Sequence, residues 1–176
     1  MRGTGSRTNA LASLKHAFDE GMFQGPRLFV ALQPIVQYGN QEEFGPADYL
    51  RITEEHAVAS GVDGVIHAVR NRKKMGADLI KTTTTGGVLH GQGSKVEQAL
   101  WREEEIRAMV DEAKRLGMDV AAHAHMEVGV RLAVEAGVRT IEHGTFISED
   151  TAKEMVKRNT YLVATQSAGT FISHAP

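Results

Sequence analysis

Three times along this chain a helical pattern ends on a glycine, a short apolar strand pattern follows, and a polar residue stands where that strand stops. Gly76 precedes Lys81 by five residues, Gly117 precedes His123 by six, and Gly137 precedes His143 by six. The helices carry their own punctuation. Val62, Val65, Ile66 and Val69 recur at helical spacing, and Arg70, Arg72, Lys73 and Lys74 crowd the last turn, where cations complement the negative end of the helix dipole. A helix predicted from Trp101 to Leu116 opens on Glu103, Glu104 and Glu105 and closes on Lys114 and Arg115, with Ile106, Met109, Val110 and Ala113 as its buried stripe. The segment after His125 reads as helix to Ala136. Another helix, capped by Ser148, runs to Arg158 and leads into a strand at Tyr161–Thr165. Strands that alternate with helices and show no polar face point to a parallel α/β architecture, because parallel neighbours require a crossover.

About five strands are predicted, at residues 27–36, 78–83, 118–123, 139–142 and 161–165. No G-x-G-x-x-G follows the first of them, so a dinucleotide-binding crevice has no local support. Polar residues on three successive strand ends fit a barrel better than one switch-point crevice. A closed (β/α)8 barrel needs eight strands and ~250 residues. The expected fold is therefore a partial (β/α)8 TIM barrel of about five parallel strands with intervening helices. On this reading residues 1–176 form a single unit that lacks the opening strands and the eighth. A smaller open sheet, complete in itself, is the alternative. Unclosed sheet edges template self-association, so a homo-oligomer through those edges is expected. Residues 1–10 read as a frayed end or loop, and Ala10–Met22 as a helix. Residues 38–60 read as a long loop and then a short helix around Tyr49–Ser60, with Tyr49 a candidate pocket residue.

Composition narrows the partners. A net charge of −2 gives no electrostatic case for nucleic acid or an anionic membrane, and no apolar run approaches the ~20 residues that span a bilayer. The absence of cysteine removes disulfide scaffolds, thiolate zinc sites and cysteine nucleophiles. The segment MRGTGSRTNA has no apolar core of a signal peptide, so a cytoplasmic protein is the expectation.

The chemistry centres on Val120–His143. His123 and His125 close one strand, His143 closes the next, and in a parallel barrel those ends share the face where loops gather. Neutral imidazole suits zinc and related divalent metals without a thiolate, and a lone strand-end histidine can equally be a hydrogen-bonded structural residue. Lys81 ends an apolar strand and precedes Thr82, Thr83, Thr84, Thr85, Gly86 and Gly87. Its ammonium would be drawn into the barrel mouth, where desolvation and nearby metal favour the neutral amine. Such an amine can form a Schiff base, take up CO2 as a metal-binding carbamate, or, if it stays charged, pair with an acid such as Glu142. The four threonines read as strand formers.

The stretches GADLIKTTTTGGVL, EEEIRAMVDEAKRLGMDVAAHAH, EAGVRTIEHGTFI and YLVAT, in that order, resemble the metal-dependent amidohydrolase superfamily. The branch they are most similar to is imidazolonepropionase-like and Xaa-Pro dipeptidase-like. GPRLFVA fits that family's third strand and GADLIK its fourth. The resemblance implies that Lys81 is a carboxylated lysine bridging two divalent ions, in first place Zn2+. It also implies that His123 and His143 bind one ion and that His125 lies nearer the substrate, with the choice between His123 and His125 as ligand left open. The implied reaction is hydrolysis of an amide-type C–N bond, in a dipeptide or cyclic amide, by attack of a metal-bound hydroxide. Lys81 and His143 would be its catalytic residues. Two departures stand against activity of these residues alone. The family's first-strand His-x-His has no counterpart before residue 27, and its eighth-strand aspartate would lie beyond Pro176. Met126 also stands where many relatives have glycine. An inactive isolated chain is therefore expected, with two other readings beside it: a non-catalytic fragment that keeps residual metal binding, and a Schiff-base lyase using Lys81.

Overall fold

The computed structural model describes residues 1–6, 10–38, 58–87 and 96–167. In chain order the elements are β1 (Arg2–Gly3), α1 (Ala10–Asp19), β2 (Phe29–Val30), β3 (Val36–Gln37), β4 (Val58–Ala59), α2 (Gly61–Lys74), β5 (Leu79–Thr83), α3 (Glu103–Arg115), β6 (Asp119–Met126), α4 (Glu127–Ala136), β7 (Thr140–Phe146), α5 (Glu149–Arg158) and β8 (Tyr161–Val163). Strands β5, β6, β7 and β8 pair in that order, all parallel. The β1–β2 pair continues this surface on the β5 side: Asp78 N–H donates to Val30 O at 2.8 Å and Ile35 N–H to Lys81 O at 2.8 Å. The result is the expected α/β fold, a partial (β/α)8 barrel whose strands are joined by helical crossovers.

Most local signals act as read. Ser148 Oγ accepts from Thr151 N–H at 3.1 Å and caps α5. Gly137, at φ 91°, takes the left-handed cap of α4 and turns the chain into β7. Where the structure departs from the sequence reading, long-range pairing decides. Arg2–Gly3, expected within a frayed end or loop, is a strand, because Phe29 N–H donates to Met1 O at 3.0 Å and Ala31 N–H to Gly3 O at 2.9 Å. Two residues carry no periodicity from which such a strand can be read. The predicted strand at residues 27–36 is broken at Leu32, which has φ 60°, into β2 and a bridge at Ile35 that leads to β3. Val58–Ala59, expected as the end of a helix, pairs in parallel with Val36–Gln37. The rest of that predicted helix, with Tyr49, lies outside the described residues. Helix α1 stops at Asp19 rather than Met22, and β8 stops at Val163 rather than Thr165, whereas β6 and β7 run past their histidines to Met126 and Phe146.

The sheet has two distinct faces. Ile80, Val120, Ala122, Ala124 and Ile141 belong to the main apolar core, with Ile106, Met109 and Val110 of α3 and Val130 and Val134 of α4. On the other parity, Leu79 and Ala121 form a small separate cluster with Ala31 at the bottom of the barrel interior. Above them on that inner face stand Lys81, Thr83, His123 and Glu142, since Thr83 is in register with His123 and His123 with Glu142. The threonine run is more than strand-forming filler. Thr82 Oγ donates to Ile35 O at 2.8 Å and accepts from the buried Trp101 indole at 3.0 Å, which pins the approach to α3 onto β5. Thr84 Oγ bonds His123 O at 3.2 Å and Gly129 O at 3.0 Å, and Thr85 Oγ accepts from His125 N–H at 3.0 Å. These hydroxyls carry backbone pairing into the region where strand β5 has already ended.

Gly129 is the tightest junction of that arrangement. A Cβ there would lie 2.2 Å from Thr85 Cγ2 and 2.7 Å from Thr84 O, and a backbone carbonyl has no room to yield. Gly129→Ala is expected to destabilise the protein by about 1–3 kcal/mol. Gly64→Ala, on α2 with nothing within 4 Å of the new methyl, is expected to stabilise it by up to ~1 kcal/mol. Urea denaturation of both variants beside the parent protein checks the pair.

Candidate metal centre

His123, His125 and His143 meet at the carboxyl ends of β6 and β7. Ring centroids are 4.7 Å apart for His123 and His125, 4.7 Å for His123 and His143, and 4.8 Å for His125 and His143. One potential ligand nitrogen from each ring lies within 4.8 Å of the other two. His125 and His143 are stacked at 14°, and His123 stands edge-on to both.

That meeting breaks the rule of strand alternation. His123 and His125 are two residues apart on β6 and share the inner face. His143 is in register with Ala124, whose methyl belongs to the outer core, so a regular strand would send its imidazole outward too. Instead His143 has φ 78° and Gly144 φ 59°, and the β6–β7 register shifts between Ala124 and Met126. This local irregularity re-aims the ring inward. A residue other than glycine at 144 would bring its Cβ within 2.5 Å of Leu162 Cδ1, besides resisting the positive φ. His143-Gly144 is the one sequence signal that could have exposed the device.

Each ring is held by a defined partner. His125 Nδ1 lies 2.8 Å from Thr145 Oγ, His143 Nδ1 2.6 Å from Thr165 Oγ, and His123 Nε2 3.4 Å from Gly86 O. Burial holds all three below the ordinary imidazole range. His123 is taken down to about 3, first by desolvation, then by the charge of Lys81 and by its two histidine neighbours. His143 is lowered by desolvation, then by His125 and Lys81, with Glu142 opposing; His125 is lowered by desolvation alone. At neutral pH the cluster is therefore three neutral imidazoles, the form that can ligate a metal.

Lys81 lies one strand earlier on the same inner face, buried, with Nζ donating to Thr82 O at 2.9 Å. Glu142 accepts from the Arg2 guanidinium at 2.7 Å and from Thr140 Oγ at 2.7 Å, an ion pair that crosses the interior from β1 to β7. All four residues singled out in the sequence thus gather at one end of the inner face. Thr145 and Thr165 were missed, because a lone threonine beyond a strand end carries no pattern.

A divalent cation of zinc type fits this donor set. Three imidazoles, one buried and two half-buried, converge with no carboxylate among them in the described residues, and two of them have Nδ1 already engaged by a hydroxyl.

Comparison with known proteins agrees with the fold. Residues 1–175 match the sequence model of the Amidohydrolase family. Ochratoxinase of Aspergillus niger is 34% identical over 110 residues, which are 62% of this chain and 23% of that protein. A crystal structure of a Xaa-Pro dipeptidase with bound methionine in its active site superposes with a TM-score of 0.88 at 38% identity, over 98% of this chain and 43% of that one. A prolidase in complex with N-methylphosphonate-L-proline gives a TM-score of 0.80 at 34% identity, over 92% of this chain and 40% of that one. The chain thus spans less than half the length of these relatives.

Two outcomes follow from the site. A folded-state pKa depressed below the unfolded value of 6.5 makes protonation favour unfolding, so stability is fully present above pH 6.5 and is lost as pH falls toward the depressed value. Unfolding free energy, measured by urea at pH 7.5 and 5.0, is expected to fall by up to about 2 kcal/mol through His123, and His123→Gln to flatten the difference. Gly144→Ala is expected to weaken Co2+ binding at least tenfold by letting His143 turn outward, read from the visible spectrum of the bound ion.

Proposed function

The chain belongs to the amidohydrolase family, and on that premise we propose that its strand-end site holds divalent metal and serves the hydrolysis of an amide-type C–N bond. The observation that carries this reading is the convergence of three neutral imidazoles, with ligand nitrogens within 4.8 Å of one another, on the inner face of a parallel barrel segment. His123 and His143 are assigned as ligands of one ion, of which Zn2+ best suits imidazole donors. Lys81, on the adjacent strand, is assigned as a carboxylated lysine whose carbamate oxygens would add to the metal-binding donors. When bound, the metal polarises the scissile carbonyl and brings the pKa of a water near neutrality.

The chain's own residues do the rest. His125, two residues along β6 from His123, is assigned to substrate contact beside the metal ligands. Burial keeps the imidazoles unprotonated, so the site meets its cation without first releasing a proton from each ring. Arg2 and Thr140 hydrogen-bond the Glu142 carboxylate below the site, and its charge only partly opposes the lowering of His143. Among the described residues the ligand cluster contains no carboxylate to take a proton from water. We therefore assign ion binding and substrate orientation to these residues, and no turnover to the 176-residue chain by itself. The substrate class is a dipeptide or cyclic amide; a Xaa-Pro dipeptide is the first to try, given the dipeptidase and prolidase relatives.

The test separates binding from turnover. Zn2+ titration by calorimetry should show saturable binding that His143→Ala and His123→Ala each weaken by at least tenfold. Carbon-13 bicarbonate should give a carbamate signal that Lys81→Met abolishes. Hydrolysis of Xaa-Pro dipeptides by the isolated chain should stay at background. Absence of saturable binding would sink the metal reading, and metal-dependent turnover would overturn the assignment of inactivity.

A further inference from the structure

We infer that Thr145 and Thr165 are positioning residues of this site: each hydroxyl accepts from Nδ1–H of a histidine one strand back, fixing the ring tautomer that leaves Nε2 with its lone pair free. The pattern occurs twice. His125 on β6 reaches Thr145 on β7 at 2.8 Å, and His143 on β7 reaches Thr165 beyond β8 at 2.6 Å. The two rings so held are the stacked pair, 14° from parallel. A neutral imidazole has one protonated and one bare nitrogen, and its hydrogen bond decides which is which. A ring that donates through Nδ1 presents Nε2 as acceptor or ligand; the opposite tautomer would close that nitrogen with a proton.

Backbone geometry supports the assignment at His143. Thr165 is a β-branched residue with φ 47°, and His143 has φ 78°, so both partners of this hydrogen bond occupy the costly left-handed region. Strain of this kind, of order 1–3 kcal/mol per residue, persists where surrounding structure over-determines it. Thr165 stands directly before the helical residues 166 and 167, and His143 lies inside β7. What the two distortions share is the hydrogen bond between them, which brings the Thr165 hydroxyl to a ring that strand alternation would have sent outward.

The inference rests on the proposed ligand role of His143 for its functional meaning, but the tautomer can be read in the metal-free protein. Nitrogen-15 histidine spectra of the chain without metal should show Nδ1 protonated and Nε2 bare for His143 and His125. Thr165→Val keeps the shape and the β-branching, so its backbone cost matches the parent's, and it should redistribute the His143 tautomers while leaving His123 unchanged. Its affinity for Co2+ should fall ten- to a hundredfold. Thr165→Ser, which retains the hydroxyl, should restore both. Thr145→Val should act in the same way on His125 tautomers. A parent His143 protonated on Nε2, or a Thr165→Val protein with parent tautomer and parent Co2+ affinity, overturns the inference. If the tautomers respond as stated while the parent chain binds no Co2+, the positioning role stands and the proposed metal function fails.

Discussion

The site depends on a single violation of the two-residue period of a β-strand. Parallel strands in register send equivalent side chains to the same face, and in β6 and β7 the pairs are His123 with Glu142 and Ala124 with His143. A perfect ladder would place a carboxylate beside His123 and bury the His143 imidazole among the apolar groups under the helices. The positive φ angles at His143 and Gly144 exchange those roles at the top of the strand. Below the exchange Glu142 still faces inward and is held by Arg2 and Thr140; above it the imidazole has joined His123 and His125. One local irregularity thus separates an ion-paired layer from a neutral, ligand-bearing layer within the same barrel interior.

That separation matters because the two layers need opposite electrostatics. The Arg2–Glu142 pair is stable where the carboxylate is nearly buried, since a guanidinium and a hydroxyl both satisfy it. Imidazoles that are to bind a cation must instead stay neutral. Desolvation is the largest cause lowering each of the three, with the charge of Lys81 added for His123 and His143. Removing water does double duty, since it suppresses the proton and leaves the lone pair without a competing solvent bond.

The parts legible in the sequence are those set by local pattern. Helix stripes, dipole-complementing charges and cap residues such as Ser148 and Gly137 showed where helices start and stop, and hence that strands between them run parallel. The same rhythm placed Lys81, His123, His125 and His143 on one end of the sheet. Features that arise from pairing between distant segments were not legible. Arg2–Gly3 is a strand only because Phe29–Val30 lies beside it, and Val58–Ala59 only because of Val36–Gln37. The inward turn of His143 belongs to the same class. The sequence reading put that residue at a strand end, where orientation is free, but β7 continues to Phe146 and imposes a parity that the backbone then has to break.

Threonine is the residue through which the fold and the site are joined. The hydroxyls of Thr82, Thr84 and Thr85 bond carbonyl and amide groups of neighbouring segments just where the β5 ladder runs out. Thr145 and Thr165 do the equivalent for imidazole nitrogens at the ends of the next strands. A hydroxyl can donate or accept, is short enough to stay near its own strand, and adds no charge to a layer that must remain neutral. Asp or Glu in these places would orient the rings as well, but a carboxylate beside an imidazole would raise its pKa and invite the proton that desolvation keeps out. Threonine orients without ionising, which is why a site of neutral ligands can be built from strand-forming residues alone.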